Sequence, residues 1–170
     1  LRAMGELDNT ILVVMSDNGA SQEGGAAGTM HEIKHFQGIK ESADEAVTRL
    51  DDIGTSNSHT NYPWGWAQCG NSPFRWYKTH THEGGMHVPM IVHWPAGLRD
   101  QAGTKRNQFT YVSDVVPTIY ELLGVTPPEV YRGVEQMPVT GHSFASVLDD
   151  PLPSKKSAGA FTSAFSAHHR

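Results

Sequence analysis

The segment that most limits what this chain can become is Thr10-Ile-Leu-Val-Val-Met15, an unbroken β-branched apolar run that stops abruptly at Ser16-Asp17-Asn18-Gly19. A half-exposed strand alternates apolar and polar residues, because successive side chains point to opposite faces. This run does not alternate, so it predicts a strand buried on both faces, as in a parallel sheet covered by helices. Pro89-Met-Ile-Val-His-Trp94, closed by Pro95-Ala-Gly97, predicts a second such strand. Between Ser113 and Gly124 the apolar residues Val116, Ile119, Tyr120 and Leu123 recur at helical spacing, with Asp114 as N-cap, Pro117 in the first turn and Gly124 as the stop. Strand, helix and strand in alternation point to an α/β architecture.

Charge narrows the partners. The 170 residues carry 13 Lys plus Arg against 18 Asp plus Glu, a formal net charge of −5, and no block of basic residues. Neither nucleic acid nor an anionic membrane surface is an expected partner. The longest apolar run, from Ile11 to Met15, falls far short of the roughly twenty residues a membrane-spanning helix needs. A single cysteine, Cys69, makes no internal disulfide and leaves the compartment open among periplasm, exterior and cytoplasm. The opening Leu1-Arg-Ala-Met-Gly-Glu-Leu7 reads as the end of a helix stopped at Gly5 or at Asp8-Asn9, which leads us to expect a fragment of a longer chain.

Residues 20–62 break the α/β rhythm, being rich in Gly, Ser and charge, and read as an insertion over one end of the sheet. Their one clear helical signal is the capping box Ser42-Ala-Asp-Glu45 ahead of Ala46, Val47, Leu50 and Ile53, with Gly54 as the stop. Residues 154–170 lack a pattern and are expected to be a poorly ordered tail.

Three motifs carry chemistry. Asp17-Asn18-Gly19 follows a strand directly, and ligands of open α/β sheets bind outside the carboxyl ends of strands. An adjacent carboxylate and amide offer hard oxygen ligands for Ca²⁺ or Mg²⁺, although Asn-Gly is equally a tight-turn dipeptide. His31-Glu-Ile-Lys-His35 fits H-E-x-x-H, in which His31 and His35 would bind zinc and Glu32 would activate water in a metallopeptidase. The glycines before it and the weak apolar face argue for a loop instead. Arg75-Trp-Tyr-Lys78, followed by Thr-His-Thr-His82-Glu83-Gly84-Gly85, brings cation, aromatics and glycines together just before the second strand. Lys78 is a compact point charge suited to a sulfate or phosphate oxygen, with simple solvation as the alternative. His82 beside it is a candidate for a substrate pocket. Trp64, Trp66, Trp76 and Trp94 read as core and cleft-wall packing, because the basic groove of a nucleic-acid platform is missing.

Taken in series, these pieces resemble the arylsulfatase family of the alkaline phosphatase superfamily. The matching text is Asn9-Thr-Ile-Leu-Val-Val-Met-Ser-Asp-Asn-Gly19, Tyr62-Pro-Trp-Gly-Trp-Ala67, Asn71-Ser-Pro-Phe-Arg-Trp-Tyr-Lys78, Thr81-His-Glu-Gly-Gly85, Val88-Pro89 with Ile91-Val-His-Trp-Pro95, and Asp114-Val-Val-Pro-Thr118, in the family's order over residues 1–153. The resemblance implies the C-terminal part of a sulfatase catalytic domain, within a sandwich whose mostly parallel central sheet is flanked by helices. It also implies a sulfate-ester hydrolase in which a formylglycine, made from cysteine or serine, attacks sulfur while a divalent cation, usually Ca²⁺, orients the sulfate. Asp17 and Asn18 then stand at metal-ligand positions, and Lys78 at the sulfate-binding position. The implied partners are a small-molecule sulfate ester and the N-terminal part of the same catalytic domain.

The departures are specific. The family's C/S-x-P-x-R signature is missing: Cys69 stands four residues before Pro73, and Asn71-Ser-Pro-Phe-Arg75 has Asn where the nucleophile would be. Asn cannot become formylglycine, so this chain supplies no nucleophile and is expected to be inactive alone. The two N-terminal metal carboxylates, and the Lys and His residues of the N-terminal half, are also absent, and His87 stands where many relatives carry Arg. The rival expectation is an inactive sulfatase-like fragment retaining weak metal or anion binding.

Overall fold

The computed structural model describes residues 1–98 and 102–149, together with two short strands near the end of the chain, Ala164–Phe165 and His168–His169. The chain divides into two compact units. One comprises Leu1–Val14 and Ile91–Phe161, the other Met15–Met90 and Thr162–Arg170.

In the first unit the opening residues form a short 3-10 turn, Arg2–Met4, ended by Gly5 at φ 73°, the left-handed conformation that favours glycine. The helix end read from the sequence is thus a single turn. The apolar run becomes β1 (Leu12–Met15), whose neighbour in a two-stranded sheet is β2 (Met90–His93). Neither strand is buried on both faces: Val14 and Ile91 are each exposed by about three-fifths. A strand in a two-stranded sheet has one open edge, and among the described residues no third strand joins this pair. The mostly parallel central sheet is therefore not present among the described residues.

The helix read between Ser113 and Gly124 is α5 (Val115–Leu123), closed by Gly124 in the left-handed region at φ 64°. Its buried stripe differs from the apolar one. Val116 and Leu123 are exposed, whereas Asp114 and Thr118 are almost wholly buried. The reason is a polar clasp. Asp114 does not cap the helix with its side chain; its carboxylate accepts the Tyr111 N–H at 2.8 Å and the His142 N–H at 2.9 Å. The Thr118 hydroxyl donates to the Asp114 carbonyl at 2.6 Å and accepts the Phe144 N–H at 3.0 Å. These bonds seat the start of α6 (Ala145–Asp149) on α5. The Arg106 guanidinium reaches the far end of α6, donating to the carbonyls of Val147 at 2.7 Å and Leu148 at 3.2 Å. Cations are favoured there because the last carbonyls of a helix lack intrahelical partners. A two-residue hairpin, β3 (Val130–Tyr131) and β4 (Val134–Glu135), completes the unit's described residues.

In the second unit, α1 (Glu32–Phe36) is little more than one turn, and α2 (Ala43–Val47) carries the full Ser42/Glu45 capping box. The helix expected to run on to Ile53 instead breaks and resumes as a 3-10 turn, Leu50–Asp52. Val47, Leu50 and Ile53 are all more than half exposed, so no apolar burial rewards a continuous helix. Next come α3 (Trp64–Gly70) and α4 (Glu83–Met86). Trp64 and Trp66 on α3 are exposed, in contrast to the core packing expected of them, though Trp66 does wall an open hollow of about 450 Å³ with Tyr62, Pro63 and Gly70. The final strands β5 (Ala164–Phe165) and β6 (His168–His169) pair antiparallel. The rest of the tail expected over residues 154–170 lies outside the described residues.

Candidate functional site

The second unit holds every residue that the sequence marked for metal or sulfate. Asp17, Asn18 and Gly19 turn the chain immediately after β1. The Asn18 side-chain N–H donates to the Gly19 carbonyl at 2.8 Å, while Ser16 Oγ donates to the Asn18 carbonyl at 2.7 Å. With its amide nitrogen engaged, Asn18 keeps its side-chain oxygen as a lone-pair donor. The Asp17 carboxylate is exposed, and no ion pair or hydrogen bond engages it within the described structure. One free carboxylate and one free amide oxygen are the donor types a hard divalent cation takes, but they fill only part of its shell. Among the described residues no group of three or more His, Cys, Asp or Glu side chains is arranged around a metal position.

Three crossings hold this turn against the Lys78 loop. The Gly19 N–H donates to the Gly85 carbonyl at 3.0 Å, and the Lys78 N–H to the Ala20 carbonyl at 3.0 Å. The third passes through Asn71, whose side-chain oxygen accepts the Ala20 N–H at 3.0 Å and whose side-chain nitrogen donates to the carbonyls of Trp76 at 3.0 Å and Gly84 at 2.8 Å. Asn71, which fails as a nucleophile in the Asn71-Ser-Pro-Phe-Arg75 match, is here the clasp that joins three segments. Such close approach needs glycine. A Cβ on Gly19 would overlap the Gly84 carbonyl, and one on Gly84 would overlap the Trp76 carbonyl.

Lys78 sits between two residues of positive φ, Trp76 at 67° and Thr79 at 77°, in a left-handed region costly for side chains of these kinds. Trp76 is held there by the Gln68 side chain, which accepts its N–H at 2.9 Å, and by a near-parallel stack on His80 at 4.8 Å. His82 lies at the N-cap of α4, half-buried, with its ring edge toward Trp76 at 6.5 Å.

The Lys78 ammonium is not simply solvated. Its Nζ donates to Glu23 Oε2 at 2.8 Å, with both side chains about one-third exposed. Ser21 Oγ donates to the same oxygen at 2.8 Å, and the Gln22 side chain donates to Thr79 Oγ1 at 3.0 Å. The Lys78 hydrogen bond, then that of Ser21, holds the Glu23 carboxyl below its ordinary value against the opposing effect of burial. Sequence reasoning missed Glu23 because its partner stands 55 positions away and no local spacing links them.

Among the described residues, no group of three or more metal-ligating side chains gathers at the H-E-x-x-H segment. His31 is the extended N-cap residue of α1 at φ −139°, and His35 lies within the helix, its N–H donating to the His31 carbonyl at 3.2 Å. Glu32 instead contacts the His59 ring at 3.2 Å, and the His35 ring lies over Gly25.

The strand-end Asp17-Asn18 turn is thus hydrogen-bonded to the Lys-bearing, glycine-closed loop. Comparison with known proteins gives the class: the sulfatase family model matches residues 1–125, and the chain belongs to the sulfatase family, whose fold is the α/β type of alkaline phosphatase. Among individual relatives it is 34% identical over 128 residues to an uncharacterized sulfatase of Schizosaccharomyces pombe, covering 75% of this chain and 22% of that protein. It is 26% identical over 148 residues to an arylsulfatase of Klebsiella aerogenes, covering 86% and 30%. Over 86 residues it is 34% identical to an N-acetylgalactosamine-6-sulfatase of Rattus norvegicus, covering 48% and 15%. The chain thus spans less than a third of the length of these relatives.

Proposed function

We propose that this chain is the C-terminal part of the catalytic domain of a sulfuric ester hydrolase, with Lys78 as its sulfate-binding cation and Asp17 and Asn18 as ligands in its divalent-cation site. The observation that carries the reading is the hydrogen bond from the Lys78 N–H to the Ala20 carbonyl, which fixes the anion-binding loop against the Asp17-Asn18 turn. Lys78 stabilises negative charge on the transferred sulfate through a position set before substrate arrives, which is where preorganised electrostatics lower a barrier most. Ca²⁺, with Mg²⁺ as the alternative, would polarise the sulfate oxygens when bound. Asp17 and Asn18 supply two of its oxygen ligands, and the remaining protein ligands belong to the N-terminal part of the domain. His82 contributes to the wall of the substrate pocket. The substrate is a small-molecule sulfate ester.

The nucleophile comes from the N-terminal part as well, since no residue of this chain sits in a C/S-x-P-x-R signature. A formylglycine there supplies the attacking oxygen, and the residues of this chain bind and orient the group being attacked. Calorimetry with an aryl sulfate, with and without Ca²⁺, tests the assignment. Lys78→Ala is expected to abolish aryl sulfate binding, and Asp17→Ala to abolish a weak Ca²⁺ site. Tight Ca²⁺ binding that survives Asp17→Ala would overturn the metal assignment.

A further inference from the structure

The Lys78 position is fixed at three points: its backbone N–H on Ala20, the neighbouring Thr79 hydroxyl under Gln22, and its ammonium on Glu23. An ammonium has three N–H donors, and Glu23 takes one, leaving two for a ligand oxygen. The Glu23 carboxylate is itself anchored by Ser21, so it does not depend on Lys78 alone for its place. A ligand anion reaching Lys78 therefore meets a positive charge with a fixed negative charge 2.8 Å from it.

That pairing bears differently on ligands of different charge. A sulfate monoester carries one negative charge, whereas a phosphate monoester carries nearly two above its second pKa of about 6. Attraction to Lys78 and repulsion from Glu23 both scale with ligand charge, so the net gain from a second charge is largely cancelled. The cost of bringing a second charge out of water remains.

We propose that Glu23 sets the charge selectivity of the Lys78 site, disfavouring dianionic phosphate esters relative to monoanionic sulfate esters. The proposal rests on the reading of Lys78 as the sulfate-binding residue and adds to it the means by which a near-isosteric competitor is rejected. One extra unit of ligand charge about 5–10 Å from Glu23 is repelled strongly enough, at an effective dielectric constant of about 20, to change relative affinity by on the order of tenfold or more. Glu23 acts through charge and position and is a specificity-determining residue rather than a catalytic one.

The test is calorimetric titration of the 170-residue chain with p-nitrophenyl sulfate and with p-nitrophenyl phosphate at pH 8 and low ionic strength. The pair differ only in the anionic head. Glu23→Gln is expected to lower the ratio of phosphate-ester to sulfate-ester dissociation constants by about tenfold or more, and Glu23→Asp, which keeps the charge, is expected to retain most of the wild-type ratio. A role confined to holding Lys78 in place would weaken both ligands alike and leave the ratio unmoved. If Lys78→Ala abolishes sulfate-ester binding while Glu23→Gln leaves the ratio within about twofold, the selectivity role is overturned and the Lys78 reading stands. If the wild-type chain binds neither ester, or Lys78→Ala binds the sulfate ester as well as wild type, the Lys78 reading fails and this inference with it.

Discussion

Glu23 and the glycines around it show how much of the site is decided by single residues that no local pattern announces. Lys78 was visible as a lone cation before Glu-Gly-Gly, but its partner was not, because an ion pair across 55 positions is a product of the fold. The Glu23 carboxyl is held below its ordinary value of 4.5, first by the Lys78 hydrogen bond and then by that of Ser21. A lowered folded-state pKa means that its contribution to stability is present above 4.5 and is lost as pH falls through the lower folded value. Carboxyl-carbon NMR is expected to find Glu23 titrating below 4.5, and Lys78→Ala is expected to move the titration upward. An unmoved titration would mean that the pair does not form in solution. Gly84 makes a steric counterpart. Its missing Cβ admits the Trp76 carbonyl, a backbone atom that has no rotamer through which to yield. Gly84→Ala is expected to cost about 2 kcal/mol or more, read as a lowered midpoint in urea denaturation with unchanged slope.

At the scale of elements, local signals that close on themselves were legible in the sequence, and those depending on distant neighbours were not. The Ser42/Glu45 capping box and the Gly124 stop formed as read, because each needs only residues within one turn. The stripe of Val116, Ile119, Tyr120 and Leu123 gave the right helix but only part of its covered face, since Ile119 and Tyr120 are half-buried while Val116 and Leu123 are exposed. The described structure seats α5 through Asp114 and Thr118, whose partners His142 and Phe144 lie more than twenty residues away. Removing that carboxylate leaves two backbone N–H groups without acceptors, so Asp114→Ala is expected to destabilise the fold by about 2–4 kcal/mol. Thermal or urea unfolding checks this; a change within about 0.5 kcal/mol would show that water replaces the carboxylate without loss. The apolar runs of β1 and β2 likewise forecast strands correctly while overstating their cover. Both lie in a two-stranded sheet in which Val14 and Ile91 are exposed.

For the whole molecule, the chain belongs to the sulfatase family and spans less than a third of the length of the relatives it matches. Val14, Ile91, Trp66 and Leu123 are exposed, and the match covers 22%, 30% and 15% of the lengths of the three relatives. We expect the isolated chain to show no sulfatase turnover, since binding groups only assist a step that a nucleophile must initiate. Aryl sulfate hydrolysis by the purified chain, abolished by Lys78→Ala, would contradict that expectation.

The central claim, that Lys78 and the Asp17-Asn18 turn form the sulfate half of a sulfatase site, is tested most directly by turnover of an aryl sulfate in a polypeptide joining these residues to the N-terminal part of the catalytic domain. Two variants are compared there, Lys78→Ala and the double change His31→Ala with His35→Ala. The account predicts loss of activity by at least about a hundredfold in the first. It predicts activity largely retained in the second, because the sulfatase reading places neither His31 nor His35 among the metal or sulfate ligands. Retention with Lys78→Ala, together with loss on the double histidine change and stoichiometric zinc, would contradict it.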